Sequence, residues 1–277
     1  MTDTPQTPPQ PPFHLSLNPT QPTTILLLHG LLSSHLEWAH VTPLLPTYHL
    51  LLPDLPGHSR SAHLSPSTIP AMATAVAALI QTHAHNGVAH VVGLSMGGFV
   101  ALDLARRFPA RCLSVFATGA APFEGLFAWM AGRPRVVFGL MWALESVPDA
   151  VYWWMAGRSG MRRFEELRGE MARNRRWEVV SGVYTSILAD CGWEEVRGID
   201  AVRVLDVAAG KQDDVEAARK VGRVWRDTGV RERLGSRAVV VRDAVHAWDL
   251  QLPELFAGGI RAWVEGTELP GRFEDLE

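Results

Sequence analysis

The chain is poor in cysteine, with only Cys112 and Cys191 among 277 residues. Neither has a nearby C-x-x-C partner, which argues against a disulfide framework and against a paired-thiolate metal site. That usage is neutral to a reducing compartment and argues against a disulfide-rich secreted module, and the expected cytoplasmic location rests on the missing targeting signals. Lysine is scarcer than arginine by an order of magnitude, Lys211 and Lys220 against 24 Arg, a skew read as coding bias. Net positive charge is missing too. The formal charge is −3, so no global basic field points to nucleic acid or to an anionic surface. No run of about 18 apolar residues is free of charges, which argues against a membrane span. The opening MTDTPQTPPQPPF has no positive segment followed by an apolar one, and it is not read as a secretory signal. H-E-x-x-H is absent, and His83 and His85 stand two apart, the wrong spacing for one helical face. G-x-G-x-x-G is absent as well. No metal and no cofactor are expected.

What is present is an ordinary globular composition, 47% hydrophobic and 20% charged. A chain of this length buries a sizeable core without staples. Seven of the 19 prolines fall in residues 1–22. Residues 1–12 are read as a disordered, polyproline-like tail, and 13–17 as one short strand. Short apolar runs follow at Thr24–Leu28, Leu50–Leu52, Val88–Gly93, Cys112–Ala117, Val202–Ala209 and Arg237–Val241. Helix-length segments separate them at 67–85, Ala101–Phe108, 213–233 and 251–265. Alternation of this kind predicts an α/β fold, a mostly parallel sheet flanked by helices. Residues 122–195 break the rhythm and hold six of the ten tryptophans: Trp129, Trp142, Trp153, Trp154, Trp177 and Trp193. This stretch is read as a helical insertion over the open end of the sheet, with Arg158–Glu178 as one solvated amphipathic helix. The core is then 13–121 and 196–277, and the insertion 122–195.

Gly93-Leu94-Ser95-Met96-Gly97 lies between a predicted strand and a predicted helix. G-x-S-x-G in that context is a nucleophile elbow. The serine sits on a turn so tight that residues two before and two after it touch, and glycine has no side chain to clash there. The turn also places Ser95 at a helix N-terminus, where free N–H groups favour developing negative charge. His29-Gly30-Leu31 follows the first apolar strand, and Asp54-Leu55-Pro56-Gly57-His58-Ser59-Arg60-Ser61 follows the second. Together these segments resemble the α/β-hydrolase superfamily, specifically its small, lid-bearing esterase-like members, over roughly residues 24–266. The second loop looks like the family's D-x-P-G-x-G-x-S, with Ser59 where glycine is commoner.

The resemblance implies a base and an acid, in that family's order of acid before histidine. Of the eleven histidines, only His246 joins that order to the end of the last strand, and Ala247-Trp248-Asp249 after it resembles the family too. A neutral imidazole is the base a serine hydroxyl needs near pH 7. Gly210-Lys211-Gln212-Asp213 ends the preceding strand, which makes Asp213 the expected acid. Asp214 replaces it if the loop is shifted by one, Asp206 ranks third because it sits inside the strand, and Asp243 is read as a loop residue. The family's other acid position offers Thr118-Gly119-Ala120-Ala121 and no carboxylate. The resemblance implies an oxyanion hole from the backbone N–H groups of Leu31 and Met96. It implies a serine hydrolase of a small hydrophobic ester, thioester or lactone. The Trp-rich insertion is expected to line an apolar cavity over Ser95. Carbon–carbon bond hydrolysis or a lyase reaction on the same triad is the alternative, as is a receptor-like member with little turnover.

Overall fold

The structure is a computed structural model and describes residues 11–276. The first ten residues of the expected proline-rich tail lie outside the described residues. Among the described residues, eight strands form one sheet: β1 (His14–Leu17), β2 (Thr24–Leu28), β3 (His49–Pro53), β4 (Ala89–Leu94), β5 (Cys112–Thr118), β6 (Val204–Ala209), β7 (Arg237–Val241) and β8 (Glu274–Asp275). Their spatial order is β1-β3-β2-β4-β5-β6-β7-β8. The pairs from β3 across to β7 are parallel, and β1 and β8 close the two edges antiparallel.

Helices cover both faces, so the inner strands read as continuous apolar runs rather than as alternation. Every residue of β2 and β3 is buried. Period-two alternation sends Leu26 and Leu28 to one layer, against Met72, Val76, Val100 and Leu104. Ile25 and Leu27 enter the other, against Trp38, Trp248, Phe256 and Ile260. The first layer rests on α1 (Ile69–His83) and α2 (Met96–Arg107). Between β5 and β6 come α3 (Gly125–Ala131), α4 (Pro134–Glu145), α5 (Asp149–Arg158), α6 (Glu165–Asn174), α7 (Trp177–Asp190) and α8 (Trp193–Arg197). The chain ends with α9 (Val215–Asp227), α10 (Val230–Leu234), α11 (Trp248–Gln251) and α12 (Pro253–Glu265).

Several elements differ from expectation for local reasons. The single helix expected over 213–233 is two, because Gly229 takes φ 70° between them. The one expected over 251–265 begins earlier and breaks at Leu252, since Pro253 opens a new helix. The helix expected over Arg158–Glu178 is confined to α6, with Arg175 leaving helical geometry at its end. The tryptophans of the insertion do not form its inner face. Trp129, Trp142, Trp154 and Trp177 are exposed, so cation–π contacts such as Arg133 over Trp129, at 4.2 Å, take the place of core packing.

Candidate active site

Ser95 joins β4 to α2 with φ 55° and ψ −119°. A non-glycine residue there costs on the order of 1–3 kcal/mol and persists only when its surroundings over-determine it. Here they do. A Cβ on Gly93 would lie 2.2 Å from the Gly97 carbonyl oxygen, and one on Gly97 would lie 2.1 Å from that of Leu28. The Ser95 N–H donates to the Thr118 carbonyl at 2.8 Å, and the Ser95 carbonyl accepts from Phe99 N–H at 3.1 Å. The helix starts at Met96, immediately after the serine, rather than at Ala101.

His246 and Asp213 come together from loops after β7 and β6. Nδ1 of His246 is 2.5 Å from Oδ1 of Asp213. The other carboxylate oxygen accepts from Ala209 N–H at 2.7 Å, and Gln212 Oε1 accepts from His246 N–H at 2.8 Å. Desolvation alone would lower the imidazole pKa, but the hydrogen bond and charge of Asp213 more than offset it, and the pKa stands above its ordinary value. Trp248 anchors the histidine loop from below by donating from Nε1 to Thr118 Oγ1 at 2.9 Å. Gly119 was passed over in the sequence as the acid position without an acid. Its value lies in its bareness: a Cβ there would fall 2.6 Å from His246 Cε1.

The other acids have other places. Asp214 caps α9 by accepting from Ala217 N–H at 2.9 Å. Asp243 is exposed and meets Arg272 at 3.2 Å. Asp206 is 1% exposed, and neither of its carboxyl oxygens has a hydrogen-bond partner among the described residues.

Leu31 follows β2 on a loop held by buried polar groups that sequence reasoning missed. Glu37 Oε2 accepts from Gly30 N–H at 2.6 Å. Burial, and then the charge of Asp249, push the Glu37 carboxyl well above its usual range. Burial pushes Asp249 up to about 7. His29 Nε2 accepts from Leu55 N–H at 2.9 Å, tying the Leu31 loop to the loop after β3. Asn174, at the end of α6, donates from Nδ2 to the carbonyls of Leu32 and Ser33, each at 2.9 Å, and accepts from Ser59 N–H at 2.6 Å. Ser59 has φ 44°, which accounts for glycine being commoner at that point of the loop. No sequence signal pointed to Glu37 or Asn174: Asn174 acts across more than a hundred residues, and the Glu37 contact with Gly30 depends on how the loop after β2 folds back.

A cavity of about 250 Å³ lies at the C-terminal end of the sheet. Ser95, His246 and Asp213 border it together. The Ser95 hydroxyl makes no hydrogen bond among the described residues, so the structure brings acid and base together and sets the serine beside them. Leu31 and Met96 are not among the residues bordering the cavity. The insertion contributes Phe123, Phe127, Met130, Val137 and Tyr184, and none of its tryptophans. The insertion thus reaches the cavity through smaller aromatics and aliphatics, and four of its six tryptophans, Trp129, Trp142, Trp154 and Trp177, are exposed rather than packed onto the core. Among the described residues, no group of three or more His, Cys, Asp or Glu side chains could hold a metal ion, and no helix is long and apolar enough to cross a membrane.

Comparison with known proteins agrees with this architecture. A family model described as alpha/beta hydrolase fold matches residues 23–176. The chain is 32% identical over 269 residues to an AB hydrolase superfamily protein of Gibberella zeae, covering 95% of this chain and 86% of that one. It is 30% identical over 263 residues to a pimeloyl-(acyl-carrier protein) methyl ester esterase of Neisseria meningitidis, covering 88% and 77%. Among solved structures, the enol-lactonase of Burkholderia xenovorans superposes with a TM-score of 0.70 at 20% identity, covering 91% of this chain and 96% of that one. A thermophilic esterase of Thermogutta terrifontis gives 0.67 at 20% identity, covering 92% and 93%. This chain belongs to the alpha/beta hydrolase superfamily and is an enzyme of the hydrolase type.

Proposed function

We propose that the protein is a serine hydrolase that cleaves a carboxylic ester, thioester or lactone of a small hydrophobic substrate through an acyl-enzyme. The observation that carries this is the 2.5 Å Asp213–His246 pair sharing one cavity with a serine on a strained strand-to-helix turn. Ser95 Oγ attacks the carbonyl carbon while His246 Nε2 takes its proton. The tetrahedral intermediate collapses, the bond to the alcohol or thiol breaks, and the imidazolium returns the proton to that leaving group. Water then attacks the acyl-enzyme by the same route in reverse. Asp213 holds Nδ1 protonated, so Nε2 is the basic nitrogen, and stabilises the imidazolium. The backbone N–H groups of Leu31 and Met96 receive the oxyanion; each such donor is worth about 10²–10³ in rate. The insertion, 122–195, acts as a lid whose inward residues Phe127, Met130, Val137 and Tyr184 favour an apolar acyl or alcohol part. Esterase and lipase relatives support ester cleavage as the reaction.

The test is hydrolysis of p-nitrophenyl esters from acetate to long acyl chains by wild type and Ser95→Ala. Turnover by the wild type that falls by at least about 10³-fold in the variant is expected. An equally active variant would remove Ser95 from the chemistry. A folded but inactive wild type would move the reading to carbon–carbon cleavage or a lyase reaction on the same triad.

A further inference from the structure

The mechanism uses Asp213 and leaves Asp206 unexplained. Asp206 lies in the middle of β6, on the face that meets α9, and it borders the same cavity as Ser95. It is 1% exposed, and among the described residues both carboxyl oxygens lack a hydrogen-bond partner. A buried polar group without a partner is costly, and such groups in folded proteins are usually satisfied. Its surroundings are small. Ala117 and Ala238 flank it on the neighbouring strands, and Ala120, Ala121, Ala208 and Ala218 line the cavity beside it. Only short side chains therefore surround the buried carboxyl where it borders the cavity.

We propose that Asp206 forms the polar floor of a substrate subsite, donating a hydrogen bond to a neutral oxygen acceptor, such as a keto oxygen, on the buried part of the substrate. The inference rests on the ester-hydrolase reading for the reacting bond, and it narrows the substrate class from a plain hydrocarbon chain to one carrying an acceptor. Burial, and then the neighbouring Asp213 charge, push the Asp206 carboxyl up to about 8. At neutral pH the group is therefore a proton-bearing acid, which has one donor to offer. Among the described residues, no Lys or Arg borders the cavity. A cationic substrate would pair with Asp206 only after that proton left, leaving a second negative charge next to Asp213. A neutral acceptor needs no such step. A site that holds a buried donor also rejects a ligand lacking the matching acceptor.

The experiment compares p-nitrophenyl octanoate with isomers in which one keto group is moved carbon by carbon along the acyl chain. The readout is the ratio of kcat/KM for keto ester to plain ester, so a general loss of activity cancels. One isomer should exceed the plain ester by about tenfold in the wild type, the size of one net hydrogen bond. Asp206→Leu should abolish that preference, and Asp206→Asn, whose amide still donates, should keep most of it. A flat series, a preference that survives Asp206→Leu, or a stronger preference for an acyl chain bearing a quaternary ammonium would each overturn the proposal. A flat series together with a more stable Asp206→Leu protein would identify Asp206 as an uncompensated core acid only. Calorimetry with the matching non-cleavable amides separates the two readings. If no ester is turned over, tighter binding of a keto amide to wild type than to Asp206→Leu keeps the subsite and fails the esterase reading. Equal binding fails the subsite as well.

Discussion

At the residue scale, the candidate site depends on side chains that are absent as much as on those present. Gly119 takes φ 65° and leaves its Cβ position to the His246 ring. Gly119→Ala adds a methyl 2.6 Å from Cε1 and costs a further ~1–2 kcal/mol for the left-handed backbone. The expected result is at least a tenfold fall in kcat/KM on p-nitrophenyl esters together with a lower Tm, and a fully active variant would mean that the imidazole has room to spare. Asp213→Asn keeps the shape and changes the charge. Turnover should drop by about 10⁴ through loss of the correct tautomer. The pH profile supplies a sharper readout. Because Asp213 holds the His246 pKa above its ordinary value of 6.5, the acid limb of kcat/KM in the wild type should have its midpoint above 6.5. In Asp213→Asn that midpoint should move to lower pH, and an unmoved limb would assign the titration to another group.

At the element scale, the helices between β5 and β6 are joined to the Leu31 loop by one side chain. Asn174 ends α6 and bonds Leu32, Ser33 and Ser59 across more than a hundred residues of chain. Truncation to alanine strands buried backbone groups, each costing about 1–3 kcal/mol. Asn174→Ala should therefore lower the stability measured by urea unfolding by about 2–4 kcal/mol. It should also lower kcat more than it raises KM, because the loop bearing Leu31 loses a tie while the cavity wall stays. A change confined to stability would show that the loop keeps its shape without α6. Sequence patterns located the short buried strands well, with β2 and β7 at their expected bounds. They failed at helix ends and within the insertion. The break at Gly229 depends on one left-handed backbone angle, the one at Leu252 on Pro253 opening a new helix, and α6 ends where Asn174 turns inward.

At the scale of the whole molecule, several ionisable groups are folded in their neutral or unusually charged forms, and stability responds to pH accordingly. Burial raises Asp206 to about 8 and Asp249 to about 7, so as pH rises the unfolded chain ionises first and the folded state loses ground. His246, raised by Asp213, contributes stability that is present below pH 6.5 and is lost as pH rises through its folded pKa. All three act in the same direction between pH 6.5 and 8, so Tm should fall across that interval. Asp206 supplies about 1–2 kcal/mol of the loss, and Asp206→Leu should flatten the slope; an unchanged slope would place the titration elsewhere. Burial lowers His29 to about 4 and His58 to about 3, and these oppose the acids below pH 6.5, where the unfolded chain takes up protons that the folded chain refuses. The amino-acid sequence by itself determined the alternation of strand and helix and the Gly93–Gly97 elbow, and its resemblance to the α/β-hydrolase family implied the order that pointed to Asp213 and His246. Those are local patterns and spacings, which a linear chain carries in full. Only the tertiary structure decided that Gly119 must be bare, that Glu37 and Asn174 hold the Leu31 loop, that most of the insertion's tryptophans face outward, and that Asp206 lies buried beside the cavity with no hydrogen-bond partner among the described residues. Each of these depends on which surfaces meet after the sheet is assembled, and burial and the pairing of charges are properties of that meeting rather than of the chain.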